Sequence, residues 1–275
     1  MPAHEHVVWF GGRFVDPSEA NVSVLDRGWL LGDGVFATMR GYDGACFRPE
    51  RHLAAVVRGA ETLGITMPAS VSSLIEIANE AARKAHARDA YVRITISRGA
   101  FAIIARPLDV PTDAEYERGI ETLVVSPRRI PPECVDPSFK TTSYAPQIVA
   151  WREIEARGVR EGLQLALDGT VACGTTSNLF VVENGALVTP PTSTGCRPGV
   201  TREAVIEIAT RLGIAVREER IRLDALDRAS EAFLTSSRIE CLPIAHRSST
   251  PGFPITTKLR HAFRELVLSE TRRAS

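Results

Sequence analysis

The sequence predicts an α+β protein of two domains, and three observations carry that reading. Strand-like runs bounded by Gly, Pro, Asn and Asp outnumber helical stripes. The runs do not alternate with helices in a regular βαβ rhythm, which argues against a doubly wound sheet. A Pro- and Asp-rich stretch, "PLDVPTDAEYERG" (107–119), separates two halves of different character and reads as a linker. The expected division is a small N-terminal α+β domain at 1–113, a linker at 114–120 and a large C-terminal domain at 121–275.

In the first half, "HVVWFGGRFVD" sets two apolar runs around Gly11-Gly12, a hairpin signal. "RHLAAVVRGAETLGI" carries apolar residues at 53, 56, 57, 60 and 63, one face of a helix. "ASVSSLIEIANEAARKAHA" is a second helix, with Ser73 and Glu76 spaced as a capping box and Ser70 an equally good cap. "AYVRITISRGAFAIIARP" alternates and then turns at Arg98-Gly99, a tight hairpin.

In the second half, "IETLVVSP" is a strand and "SYAPQIVAWREIEARG" a helix closed by Gly158. "LQLALD" and "SNLFVVENGALVTPP" are strands, the latter folded at Asn184-Gly185. "TREAVIEIATRLGI" is a helix with Thr201 as its expected N-cap. "IAVREERI", "EAFLTSS" and "IECLPIA" are strands, and "TTKLRHAFRELVLS" is a closing amphipathic helix.

Composition excludes several classes. The 275 residues are 44% hydrophobic and 24% charged, with formal net charge zero. That balance suits a globular protein and gives no electrostatic case for nucleic acid or a membrane surface. Five cysteines without a CxxC pair argue against a disulfide framework or structural zinc, and for a reducing compartment. "MPAHEHVVWFGG" lacks a signal peptide's charged and apolar regions, and no run approaches the roughly 20 apolar residues of a membrane span. The expectation is a cytoplasmic protein.

Two bends are candidates for phosphate. "RPGVTRE" leads into a helix, where free N–H groups meet the positive end of the helix dipole. "LTSSRIE" follows a strand with two hydroxyls, Ser236 and Ser237. Each bend alone is a weak signal, since most such bends are only turns, but together they suggest a phosphorylated cofactor. No GxGxxG or GxxxxGK[ST] supports a dinucleotide or P-loop reading, and no GxSxG supports a serine hydrolase. The six histidines show no metal-ligand spacing. Lysines are scarce: Lys84 and Lys258 fall on polar helix faces, whereas Lys140, in "DPSFKTTSYAP", has apolar and hydroxyl neighbours. Such a lysine reads either as an exposed loop residue or as a Schiff-base former. In "DGTVACGTTSNLF", Cys173 precedes a bend rich in backbone donors and reads as ligand, nucleophile or small buried residue.

These motifs, in this order, resemble the class IV aminotransferases, the fold-type IV pyridoxal-phosphate enzymes. That group includes branched-chain and D-amino-acid aminotransferases, R-selective amine transaminases and aminodeoxychorismate lyases. The resemblance runs through "LDRGWLLGDGVFATMRGYDG", "FRPERHL", "YVRITISRG", "KTTSY", "GTTSNLFVVENGALVTPP", "PGVTRE" and "EAFLTSS". "KTTSY" looks more like the lyase and D-amino-acid branches. The resemblance implies a two-domain D-amino-acid/branched-chain aminotransferase-like fold and pyridoxal 5'-phosphate as cofactor. It implies an amino acid, amine or keto acid as substrate, and a homodimer. It makes Lys140 the residue that forms the internal aldimine and Tyr144 the tyrosine near the cofactor's phenolic oxygen. Val200, Thr201, Ser236 and Ser237 become phosphate ligands, Thr176, Ser177 and Asn178 part of the cofactor-binding bend, and Tyr91, Arg93 and Leu31 substrate-lining residues.

The match is broken at telling places. Cys173 falls where the family carries a glutamate that keeps the pyridine nitrogen protonated, so the cofactor ring is expected to be neutral and a poorer electron sink. Ala55 replaces an arginine on the phosphate, Arg197 an apolar residue on the cofactor ring, and Leu31 an aromatic. The tight turn of "ISRGAFAII" stands where the family has a longer loop. Arg197, beside the phosphate bend, is a candidate to restore the charge missing at position 55. Three readings follow: a working pyridoxal-phosphate transaminase or lyase, a relative that has lost the cofactor but catalyses another reaction, and a non-catalytic binding protein.

Overall fold

The computed structural model describes residues 6–245 and 251–272. Of the stretch 1–12 that lacks a signal peptide's charged and apolar regions, residues 1–5 lie outside the described ones. The chain forms two compact units. The first gathers Met1–Val110, Ser138–Tyr144 and Leu266–Ser275, the second Pro111–Pro137 and Ala145–Glu265. The chain therefore visits the first unit three times.

The first unit is built on a six-stranded antiparallel sheet of order β2-β1-β6-β5-β3-β4. Its strands are β1 (Val7–Phe10), β2 (Arg13–Val15), β3 (Gly34–Tyr42), β4 (Ala45–Cys46), β5 (Asp89–Ser97) and β6 (Phe101–Pro107). The β5–β6 turn falls at Arg98-Gly99 as expected, closed by Ser97 N–H donating to Ala100 O. Side chains on a strand alternate between faces. Val35, Ala37, Met39, Val92, Ile94, Ile96 and Ile103 turn to one face and form the core with α2 (Pro49–Leu63) and α3 (Val71–Lys84). Pro49 opens α2 and Gly64, at φ 62°, closes it, the usual asymmetry of helix ends. Ser70 caps α3, its hydroxyl accepting from Ser73 N–H at 3.1 Å. The Ser73–Glu76 capping box does not form, because the helix begins before it.

The second unit packs a three-stranded sheet, β7-β8-β9, on a five-stranded one, β12-β11-β10-β13-β14. The strands are β7 (Thr122–Val124), β8 (Glu161–Leu165), β9 (Val171–Gly174), β10 (Asn178–Glu183), β11 (Ala186–Thr189), β12 (Val216–Glu218), β13 (Glu231–Ser236) and β14 (Glu240–Pro243). Leu163, Leu165 and Val171 meet Leu179, Val181, Leu234 and Leu242 between the sheets. Helix α6 (Val200–Arg211) packs against β13. The two parallel pairs, β7–β8 and β11–β12, each carry a helix in the connection, α5 (Ala145–Arg157) and α6. The rest is antiparallel, so the α+β expectation holds.

Two local expectations are corrected. The stretch read as a linker contains helix α4 (Asp113–Arg118), held by a full capping box between Thr112 and Glu115. Its acids are first-turn residues placed favourably against the helix dipole rather than loop polarity. The N-cap of α6 is Gly199, not Thr201. A Cβ at 199 would collide with Asn178 Oδ1, so the chain needs glycine there and the helix starts two residues early. Helices α1 (Arg27–Leu31), α7 (Leu223–Arg228) and strand β3 carried no sequence expectation.

Candidate active site

Lys140 lies in the first unit, on a segment that pairs with the open edge of β3. Phe36 N–H donates to Lys140 O at 3.1 Å, and Thr142 N–H to Gly34 O at 2.9 Å. Thr142 also sends its hydroxyl to Gly32 O at 2.8 Å. Close approach explains the glycines of "LGDG". A Cβ on Gly34 would sit 2.9 Å from Thr142 Oγ1, and one on Gly32, whose φ is +68°, would strike Ser143. Phe139, the neighbour of Lys140, is buried against Gly59 of α2, where an added Cβ would lie 2.7 Å from its ring. The lysine backbone is thus gripped on both sides.

Phe36 organises the side chains. It is buried on the sheet face opposite the helices. Lys140 Nζ is 5.5 Å from its ring centroid, the Arg93 guanidinium 3.7 Å, and the Tyr144 ring 5.3 Å in an edge-on arrangement. Arg93 Nε donates to Thr95 Oγ1 at 2.9 Å, which fixes the guanidinium. Tyr91 lies on the same face two residues away, under Arg106 at 4.6 Å. His52 on α2 is neutral: burial first, then the charge of Lys140, lower its pKa to about 3. Leu31, at the end of α1, is 62% exposed, and with Val22, Val24, Leu25, Trp29 and Leu30 forms an uncovered apolar segment. Asp26 ties that segment to the hairpin, capping α1 and accepting from Ser97 Oγ and Gly99 N–H.

In the second unit, Cys173 is buried on β9 opposite Gln164. Burial pushes its thiol up to about 11, although the Arg129 and Arg197 charges pull the other way. It is therefore a neutral thiol at ordinary pH. The bend after it is shaped by Glu161, which the sequence reading passed over. Oε1 accepts from Gly162 N–H and Thr175 N–H, both at 3.1 Å. Oε2 accepts from Thr176 N–H at 3.3 Å, Thr176 Oγ1 at 2.9 Å and Ser177 Oγ at 3.1 Å. The hydroxyls of Thr176 and Ser177 are thus spent on a buried carboxylate. The available signal was a lone charge opening the apolar run of β8.

Asn178 joins this bend to the start of α6. Its amide donates to Arg197 O at 2.8 Å and lies against Gly199. Gly199 offers no side-chain cap, so the first-turn N–H groups of Val200 and Thr201 remain available. Ser236 ends β13 and Ser237 begins the turn to β14; their hydroxyls have no partner among the described residues. Thr235 Oγ1, on the α6 side of β13, is buried without a hydrogen-bond partner among the described residues. Arg197 sends Nη1 to Pro137 O at 3.1 Å. Arg129, also missed, is buried and donates Nε to Gly195 O at 2.7 Å, supporting the same loop. Ala55 sits on α2 of the first unit.

Residues 34–246 match the family model for amino-transferase class IV. A branched-chain aminotransferase from the archaeon Thermoproteus uzoniensis, solved with norvaline, is 32% identical, with TM-score 0.87 over 97% of this chain and 96% of that one. The T.th. branched-chain amino acid aminotransferase solved with pyridoxamine 5'-phosphate is 27% identical, with TM-score 0.86 over 95% and 93% of the two chains. The aminodeoxychorismate lyase of Bacillus subtilis is 32% identical over 252 residues, 86% of this chain and 85% of its own.

Proposed function

The chain belongs to the class IV aminotransferases, and from that premise we propose that it binds pyridoxal 5'-phosphate and uses Lys140 to process an amino acid or amine. The fold-type IV, α+β expectation holds, and the likeness is to aminotransferases and a lyase; the reading of a cofactor-free relative gains no support over it.

The residues fit most of the cofactor. A phosphate would find the Val200 and Thr201 N–H groups at the positive end of α6, with the Ser236 and Ser237 hydroxyls as further donors. The orphaned Thr235 hydroxyl is the single observation that carries this fit: a buried polar atom without a partner costs about 1–3 kcal/mol. When bound, the cofactor supplies an aldehyde that condenses with amines and a ring that accepts an electron pair.

Lys140 Nζ, over Phe36, is the group that would take the aldehyde and then carry a proton to and from the substrate carbon. His52, neutral beside it, does not compete as a cation. Tyr144 is held by the same ring and bounds the space around the ammonium. Arg93 has two Nη groups without an acceptor among the described residues, suited to a substrate carboxylate. Cys173 is where the fit is weakest. A neutral thiol does not hold a pyridinium, so the ring would stay unprotonated, which favours elimination or slow transamination over fast transamination. A homodimer would cover the apolar segment around Trp29; a solution mass of one chain would remove that part. The five free cysteines suit a cytoplasmic setting.

The test is absorbance of the purified protein with and without pyridoxal 5'-phosphate, then borohydride reduction and mass mapping. A visible band and label on Lys140 are expected; a colourless protein that refuses the cofactor overturns the reading. Arg197→Leu should weaken cofactor binding by one to two decades if Arg197 supplies the charge missing at Ala55, and unchanged binding removes that role.

A further inference from the structure

The turn that joins β13 to β14 follows directly on Ser236. Its backbone is held from both flanks. Ile239 N–H donates to Ser236 O at 3.2 Å, and Tyr116 of α4 sends its hydroxyl to Ile239 O at 3.1 Å. Ser236 pairs with Glu240 across the ladder, and Glu240 takes a positive φ of 51° as the chain re-enters the sheet.

One charge in this fixed turn is unbalanced. Arg238 is half-buried, and its Nε is buried without a hydrogen-bond partner among the described residues. It has no ion pair among them. The carboxylate nearest in sequence is Glu240, two residues on, and it is spent elsewhere. Arg264 Nε reaches its Oε2 at 2.9 Å and Arg260 Nε at 3.7 Å, both from α8 (Pro254–Thr271). Buried charged groups are normally paired, so Arg238 points to an anion that the chain itself does not supply.

The residues before it are of the same kind. Ser236 and Ser237 have hydroxyls without partners among the described residues, and the Thr235 hydroxyl is buried in the same condition. These hydroxyls, like the N–H groups at the start of α6, are neutral. A phosphate ester carries about 1.5–2 negative charges at neutral pH, and position 55, on α2, is an alanine. Arg197 is the other candidate for the missing charge, but its Nη1 is already committed to Pro137 O at 3.1 Å. Arg238 has no such commitment among the described residues.

We propose that Arg238 is the cation that holds the cofactor's phosphate, in place of the arginine that Ala55 replaces. This rests on the reading that pyridoxal 5'-phosphate binds beside Ser236 and Ser237. The counter-charge has moved from a helix of the first unit to the turn that carries the serines. Every phosphate ligand, Val200, Thr201, Ser236, Ser237 and Arg238, then belongs to the second unit.

Pyridoxal 5'-phosphate and pyridoxal differ only in the phosphate. Both are titrated into wild type, Arg238→Met and Arg238→Lys by absorbance, with borohydride mapping of Lys140. Inorganic phosphate is titrated calorimetrically into the same proteins freed of cofactor. Arg238→Met should weaken pyridoxal 5'-phosphate by about ten- to a hundredfold, the size of one charge-assisted contact, and leave pyridoxal unchanged. Arg238→Lys should keep most of the affinity, because a phosphate accepts a point charge as well as a fork. Urea unfolding of cofactor-free Arg238→Met should match wild type, since the side chain has no partner among the described residues to lose. An unchanged ratio of the two affinities overturns the proposal. So does a methionine variant that is destabilised or fails to fold, which would mean that the side chain serves the turn. Weaker cofactor binding in Arg197→Leu with none in Arg238→Met gives the role to Arg197 instead. A yellow, Lys140-labelled protein whose phosphate preference survives Arg238→Met keeps the enzyme reading and loses this role. A protein that refuses the cofactor but binds inorganic phosphate in an Arg238-dependent way keeps the phosphate site and loses the reaction.

Discussion

Replacing Glu161 by glutamine should destabilise the protein by about 1–3 kcal/mol, and the arithmetic follows from which atoms the carboxylate serves. Backbone N–H groups of Gly162 and Thr175 approach Oε1, and they can only donate. A glutamine must therefore keep its oxygen there and turn its NH₂ toward Thr176 and Ser177. The two hydroxyls can rotate and accept, but Thr176 N–H loses its acceptor. One buried, unpaired N–H costs about 1–3 kcal/mol. Relief from burying a charge offsets part of that, since burial raises the Glu161 pKa above its usual value. The sign with pH follows. A carboxyl whose folded pKa is raised gives its full stability below the unfolded value and loses it as pH rises through the folded one. Wild type should thus exceed the variant most at acid pH, with the gap narrowing as pH rises above about 4.5. Urea unfolding at pH 5 and pH 8 measures both quantities. Equal stability at both values, or a gap that widens with pH, would refute the clamp.

Other expectations follow from the same structure. Cys46 and Cys173 are buried, with thiols pushed up to about 12 and about 11, and Cys134 is exposed, so maleimide at pH 7.5 should label Cys134 first; rapid native labelling of Cys173 counts against its burial. His52 has a depressed pKa, so its contribution to stability is present above about 6.5 and lost as pH falls toward 3. Replacing it with glutamine should flatten the acid limb of the stability curve, and a His52 NMR titration with a midpoint near 6.5 would show the reasoning wrong. Gly59→Ala gains about 0.5–1 kcal/mol of helix propensity but drives a methyl into Phe139, an overpacking of about 1–3 kcal/mol. A net loss of about 1 kcal/mol and weaker cofactor retention are expected; a more stable variant would mean that Phe139 moves freely.

Much of the fold was legible because its signals are local. Alternation announced the β5–β6 hairpin, and a spaced apolar stripe announced α2. The positions of Lys140 and Cys173 came from motif order rather than from periodicity. What escaped notice depends on partners far away in the chain. Glu161 looks like an ordinary strand-opening charge until the bend 14–16 residues later folds onto it. Arg106 is one arginine among many until strand register sets it beside Tyr91. The glycine cap of α6 was hidden for a similar reason: its need arises from Asn178, on another strand. Residues 107–119 show the opposite error, in which Pro and Asp were taken as breakers when Pro111 and Thr112 are a helix entrance.

The pairing of Lys140's segment with β3 has a consequence for how the chain can be cut and made. Thr142 and Gly32 are 110 residues apart, yet they share a hydrogen bond. During synthesis, the edge of β3 has no partner at that end until the chain has passed position 142. An unpaired strand edge invites association with another chain. A fragment stopping at 137, however well its helices form, would present that bare edge and should aggregate more readily than one stopping at 144.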